Sequence, residues 1–178
     1  MTGMQEPVSL QRIVTAQQAA AFARALQEQG VEVAFTNGCF DLLHAGHVAY
    51  LEQARAMAGA LIVGINSDAS VRRLKGPGRP VVPQEDRARV VAALRAVDRV
   101  VIFEEETAAS LIELIRPNLY VKGADYADKA LPEEPTARAV GARVVLVPLL
   151  AGRSTSALIE RLRHSGRRPE SGESEPAT

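Results

Sequence analysis

Five short runs rich in Val and Ile, at Val31–Thr36, Ala60–Ile65, Arg99–Phe103, Leu119–Lys122 and Arg143–Val147, punctuate the chain. Each has the length of a strand, and nearly continuous apolarity suits strands covered on both faces rather than on one. Helical stretches fill the gaps. Thr15 can cap a helix running to Gln29, which sets Ala19, Phe22, Ala23 and Leu26 on one face and stops at Gly30. Further helices are expected over Gly46–Ala58, Gln84–Ala96, Thr107–Ile115, Thr136–Val140 and Ser154–Arg163. Alternation of this kind implies the α/β class, a parallel sheet between two layers of helices.

A chain of 178 residues suffices for one domain, expected over residues 1–164, to close a core without disulfide or metal staples. Residues 165–178 hold Ser, Gly, Pro, Glu and Arg but no large apolar side chain, so a flexible tail is expected there. Lys+Arg 21 balances Asp+Glu 21, which removes any global electrostatic case for nucleic acid or an anionic membrane as partner. Aromatic residues make up only 4% and Trp is absent, a poor basis for stacking nucleic-acid bases. The single cysteine, Cys39, rules out a disulfide framework and most structural zinc sites. No apolar run approaches the roughly 18 residues of a membrane span, and Met1–Leu10 lacks the segments of a secretory signal. A cytoplasmic protein is the expectation.

Ligands of open parallel sheets bind beyond the carboxyl ends of the strands, where strand order reverses. Polar and small residues gather after every run here: Asn37 to His47, then Asn66-Ser67-Asp68, Glu104 to Thr107, Gly123-Ala124-Asp125 and Gly152 to Ser156. The sharpest pattern is His44-Ala45-Gly46-His47 at an expected helix start. Side chains three apart share a helix face, and a helix N-terminus offers free N–H groups and a positive dipole end to an anion. Gly46 lets a ligand approach the backbone, and each imidazole adds a donor able to carry charge. A metal reading of the pair lacks further His or Cys ligands.

Arg72 to Pro80 carries four cations and no acid in a Gly/Pro-rich stretch expected to be a loop rather than a regular helix. Arg87 and Arg89 follow on the next helix. A solvated surface loop would explain such a run, but in a neutral chain beside the histidines a polyanionic ligand explains it better. Arg153-Ser154-Thr155-Ser156 supplies hydroxyls and a cation at the start of the last helix, where simple capping accounts for one hydroxyl. Asp41, Asp68 and Asp125 each follow a strand end; any could hold Mg²⁺ through water, bind a ribose hydroxyl or cap a turn. Cys39 reads as a small buried residue beside the site, not a nucleophile. Neither a Walker-type loop nor a G-x-G-x-x-G helix start occurs.

The string from Thr36 through Asn37, Gly38, Cys39, Phe40 and Asp41 to His44-Ala45-Gly46-His47 resembles the H-x-G-H signature of the cytidylyltransferase-like nucleotidyltransferases. Within them the chain is most similar to the adenylyltransferase domain of ADP-heptose synthesis. The strings that carry this are Gly64 to Ser70, Leu74-Lys75-Gly76 with Arg79-Pro80-Val81, Val121 to Tyr126, and Ser154-Thr155-Ser156. The resemblance spans about residues 8–163. It implies a Rossmann-like three-layer α/β/α fold whose five strands run in the order 3-2-1-4-5. The implied reaction moves AMP from ATP to a sugar 1-phosphate, D-glycero-D-manno-heptose 1-phosphate, with Mg²⁺, giving an ADP-sugar and pyrophosphate. A homodimer and a separate upstream sugar kinase are implied as well, no kinase segment being present.

The same resemblance assigns roles. His44 and His47 fall to the α- and β-phosphates, Lys75 and Arg79 to the triphosphate or the acceptor phosphate, with Arg87 as a further substrate contact. Arg153, Ser154 and Thr155 fall to the β- and γ-phosphates. Thr36, Asn37, Gly38, Cys39, Phe40, Gly46, Asn66, Asp68, Lys122, Gly123 and Asp125 fall to the nucleotide, and Asp41 to positioning metal or the histidines. The family often has two Thr after the Ser of the last motif where this chain has Thr155-Ser156, which keeps a hydroxyl. The loop Asp128 to Pro132 lies where acceptor sugars would be distinguished. Rival readings are a CTP-dependent cytidylyltransferase acting on glycerol 3-phosphate, a non-catalytic nucleotide-binding module and a divalent-metal hydrolase.

Overall fold

The computed structural model describes residues 7–127, 129–150 and 152–165. Its strands are β1 (Val33–Gly38), β2 (Ala60–Asn66), β3 (Arg99–Phe103), β4 (Leu119–Gly123) and β5 (Arg143–Val147). They form one sheet in the order β3-β2-β1-β4-β5, every neighbouring pair parallel, as the resemblance implies. The helices are α1 (Val8–Gln11), α2 (Ala16–Gln27), α3 (Ala45–Ala56), α4 (Asp68–Lys75), α5 (Gln84–Ala92), α6 (Ala109–Ile115), α7 (Glu134–Ala139) and α8 (Thr155–Ser165). The tail expected over 165–178 lies outside the described residues apart from Ser165, which closes α8.

Two cores flank the sheet because successive strand side chains point to opposite faces. Val33, Phe35, Ile62 and Tyr120 pack against α2, α6 and α7, through Ala19, Ala23, Ile112 and Ala137. Ala34, Leu61, Val63 and Val121 pack against α3 and α5, through Leu51, Ala54, Ala88 and Val91. Thr15 caps α2 as expected, in a reciprocal capping box with Gln18.

The cationic stretch departs from expectation. Arg72, Arg73, Leu74 and Lys75 are the last turn of α4, which Ser67 starts by accepting from the Ser70 amide. The breakers all lie downstream, and Gly76, at φ 86°, ends the helix. Basic residues in that last turn also complement the helix dipole. Only residues 76–82 form the loop proper.

The feature that positions a site is where β1 and β4 part. Their ladder pairs Ala34 with Leu119 and Phe35 with Tyr120, whereas β1 pairs with β2 along its whole length. Past Phe35, side chains take over. The Tyr50 hydroxyl, from α3, donates to the Val121 carbonyl at 2.8 Å and meets Thr36 Oγ1 at 2.7 Å. Replacing Tyr50 by Phe removes both bonds and strands a buried carbonyl, an expected loss of about 1–3 kcal/mol. Urea unfolding checks it: the midpoint should fall with the slope unchanged, and an unchanged midpoint would mean the hydroxyl bridges nothing of consequence.

Candidate active site

A cavity of about 750 Å³ opens over this parting of the strands, at the carboxyl edge of the sheet. Chain segments far apart in sequence meet in its wall. Asn37 and Gly38 end β1 and Cys39 to Asp41 follow it, His44, Gly46 and His47 open α3, and Asn66 ends β2. Lys75 and Arg79 come from the end of α4 and its loop, Lys122, Gly123 and Asp125 from the end of β4, and Arg153, Ser154 and Thr155 from the start of α8.

His44 and His47 stack, ring centroids 3.9 Å apart and planes 23° apart. Phe40 packs against the second ring at 5.3 Å, from a left-handed backbone of φ 47° that a bulky residue adopts only under constraint. Gly38 makes this possible, since a Cβ there would sit 3.1 Å from the Phe40 ring. Gly46 has a related reason to lack a side chain. Its Cβ would lie 2.9 Å from the His44 ring and 3.0 Å from Arg153 Cβ, so the space is taken by the site's own groups rather than reserved for a ligand.

Both histidines are held neutral. Burial, then the Arg153 cation, lowers the pKa of His44; burial, then the neighbouring His44 ring, pushes His47 down to about 4. The Nδ1 atoms of both rings are buried and have no partner in the chain. The fold supplies no acceptor at either Nδ1, so a ring that donates to a ligand does so from Nε2. No side chain caps α3; the His47 amide turns back to the His44 carbonyl at 2.9 Å, which leaves the Ala45 and Gly46 amides for an incoming anion. On α8, Ser154 is occupied as the cap, accepting from the Ala157 amide at 3.1 Å, and Thr155 donates to the Leu42 carbonyl at 3.3 Å. Ser154 thus closes its own helix, and Thr155 docks the start of α8 on the loop before α3; the helix start itself, with Arg153, is what faces an anion.

Three residues expected in the site do not line it. Thr36 is fully buried beneath it, on Tyr50. Asp68 starts α4 and accepts from Arg87 at 2.7 Å. Arg87, expected as a substrate contact, is 1% exposed and spends its guanidinium inside the protein: on the Val82 carbonyl at 2.9 Å, the Cys39 carbonyl and Asp68. It therefore locks the β1 loop, the 76–82 loop and α4 together. Asp41 also differs from its expected role. Its carboxylate accepts from Arg79 Nε at 2.6 Å and from the Val81 and Val82 amides at 2.8 and 3.0 Å, fastening the cationic loop rather than a metal or the histidines.

The far wall received no role from the sequence: Glu133, Leu149 and Leu150 also line the cavity, with Thr107 and Tyr126, which the sequence marked only as members of the segments after β3 and β4. Leu149 and Leu150 are 47% exposed each, an apolar pair just past β5 whose signal was two large side chains with no core to join. Burial raises the pKa of Cys39 despite nearby Lys75, Arg87 and Arg79, so its thiol stays protonated.

A family model described as cytidylyltransferase-like matches residues 35–160. The chain is 54% identical over 151 residues to "Bifunctional protein HldE" of Mesorhizobium japonicum, covering 85% of this chain and 30% of that one. It is 55% identical over 134 residues to the protein of the same name from Magnetococcus marinus, covering 75% and 28%. The chain thus spans about 30% of the length of the curated relatives it matches. Among solved structures, the lipopolysaccharide core biosynthesis protein of Thermoplasma volcanium GSS1 superposes with a TM-score of 0.56 at 24% identity, over 68% of this chain and 98% of that one. That likeness supports the fold.

The depressed histidines fix a pH dependence. The unfolded chain binds a proton at His47 near pH 6.5, the ligand-free fold only near 4, so stability is full above 6.5 and is lost as pH falls towards 4. Urea midpoints at pH 7.5, 6 and 5 should fall more steeply for the wild type than for His47→Asn. Parallel curves would contradict a buried neutral imidazole.

Proposed function

The chain belongs to the cytidylyltransferase-like family, and on that premise we propose that it transfers AMP from ATP to a sugar 1-phosphate, D-glycero-D-manno-heptose 1-phosphate, releasing pyrophosphate. Nucleotidyl transfer is what the matched family's description names, and it needs the one thing this cavity provides in excess, donors and cations for a polyphosphate. The observation that carries the reading is their convergence: His44, His47, Lys75, Arg79, Arg153 and two helix N-termini border one cavity.

The chemistry follows from charge. An oxygen of the acceptor phosphate is already anionic and attacks the α-phosphorus without a strong base. As that P–O bond forms, the bond from the α-phosphorus to the oxygen bridging to the β-phosphorus breaks, and its electron pair leaves on pyrophosphate. The protein must align the two phosphates and stabilise negative charge that spreads onto the transferring group and the leaving pyrophosphate. The Nε2–H groups of His44 and His47 suit the α- and β-phosphates. Arg153 and the α8 amides suit the β- and γ-phosphates, and Lys75 with Arg79 the triphosphate or the acceptor phosphate. A protonated Cys39 suits direct transfer with no covalent enzyme intermediate.

Mg²⁺ enters with the triphosphate, as the MgATP substrate. Among the described residues no three His, Cys, Asp or Glu side chains converge on a metal, and Asp41 is already engaged by Arg79 and two amides. An acceptor of this kind is made by phosphorylating a sugar, so a sugar kinase acts upstream.

His47→Ala is expected to lose about 10²–10³-fold in kcat, the range for removing one preorganised donor. Undiminished turnover would remove His47 from the chemistry. A pyrophosphate-release assay of ATP and CTP against heptose 1-phosphate and glycerol 3-phosphate tests the substrates. The ATP and heptose 1-phosphate pair should be fastest; CTP with glycerol 3-phosphate leading would overturn the substrates while leaving the transfer.

A further inference from the structure

The cavity has a second end whose chemistry is not that of a phosphate site. Glu133, just before α7, lines it although the residue is only 5% exposed. A carboxylate removed from water is costly, and in a cavity built for polyanions it repels the ligand. Its neighbours on the protein side account for only part of its capacity. The Ala108 amide at the start of α6 donates to Oε1 at 3.2 Å and Asn37 Nδ2 donates to the same oxygen at 3.4 Å, whereas a carboxylate offers about four acceptor positions. Glu133 also faces the Tyr120 hydroxyl and the Lys122 ammonium: its charge and contact add to the burial that raises the phenol, and its charge opposes the burial that lowers the ammonium.

The groups around it are held in place. The Tyr120 hydroxyl donates to Asn37 Oδ1 at 2.7 Å, and Lys122 Nζ donates to the same oxygen and to the Asn37 carbonyl, both at 3.4 Å. Asn37 thereby turns its amide nitrogen to Glu133. The ammonium of Lys122 stands 4.7 Å over the Tyr126 ring, which fills the aromatic face a cationic ligand would need. What remains is a rigid set of carboxylate, amide and ammonium, a set matched to hydroxyl groups that donate and accept together.

In-line transfer says which substrate reaches this end. If pyrophosphate departs towards α3 and α8, where His44, His47 and Arg153 lie, the attacking oxygen must come from the opposite side of the α-phosphorus. The histidines and α3 belong to one face of the sheet; Glu133, Ala108 and α6 belong to the other. Asn37 and Lys122, at the ends of β1 and β4, lie between.

We propose that Glu133 is the specificity residue for the acceptor, binding hydroxyl groups of a polyhydroxylated sugar phosphate whose phosphate lies nearer Lys122. The proposal rests on the nucleotidyl-transfer reading for the side from which the acceptor enters. Glu133→Gln keeps an oxygen to accept from Ala108 and so spares the α6 start.

Calorimetry with the purified chain separates the possibilities. Heptose 1-phosphate is titrated in the presence of α,β-methylene-ATP, and ATP is titrated alone. For Glu133→Gln the heptose 1-phosphate Kd should rise about 10-fold, the value of one hydrogen bond to a charged group, while the ATP Kd stays within about twofold. The wild type should favour heptose 1-phosphate over ethanolamine phosphate, and the variant should lose that preference. Equal weakening of ATP would assign Glu133 to the ribose and overturn the proposal, as would an unchanged heptose 1-phosphate Kd, a wild type that binds no heptose 1-phosphate, or one that prefers ethanolamine phosphate. Selective weakening without any pyrophosphate release by the wild type would uphold Glu133 as a sugar contact and sink the transfer reading instead.

Discussion

Strands β1 and β4 stop pairing after Phe35 and Tyr120, and the site exists because of what bridges them beyond that point. A parallel sheet whose order reverses at its middle sends its crossover helices to opposite faces, so no connection covers the carboxyl ends there. Backbone groups left unpaired in a buried place must find partners. Tyr50 serves Val121 and Thr36, and Lys122 serves the Asn37 carbonyl. These bridges span the crevice, so the cavity is open in the ligand-free fold.

Charge within the crevice is divided between bracing and binding. Arg87 and Asp41 are almost wholly buried and consumed by internal bonds; they tie the β1 loop to the loop after α4. Lys75 and Arg153 are exposed and border the open space. Neutral histidines fit the same division. Two stacked imidazoles sharing burial cannot both carry charge readily, and one that donates from Nε2 needs none until negative charge arrives.

The layers were legible because buried parallel strands write themselves as unbroken apolar runs, the strand order only through the family resemblance, and α2 because Thr15 and Gln18 spell out its cap. The histidine loop was legible because chemistry and helix start coincide within a few residues. Arg87 was not. In sequence it is one more cation near a cationic run, and only the packing of α5 under the β1 loop reveals that its charge is spent. Arg72 to Lys75 look like loop in sequence because Gly and Pro crowd just downstream, whereas the Ser67 cap that starts α4 lies upstream of them. Glu133 gave no signal at all, since an acid beside Glu134 at a helix start reads as ordinary favourable placement near a dipole. Its burial is a tertiary fact.

A crystal structure with α,β-methylene-ATP tests the convergence most directly. The account predicts the β-phosphate between the starts of α3 and α8, within hydrogen-bond distance of a histidine Nε2 and of Arg153, with Lys75 approaching from across the cavity. A triphosphate bound away from the histidine pair, or touched by only one of these segments, would contradict it.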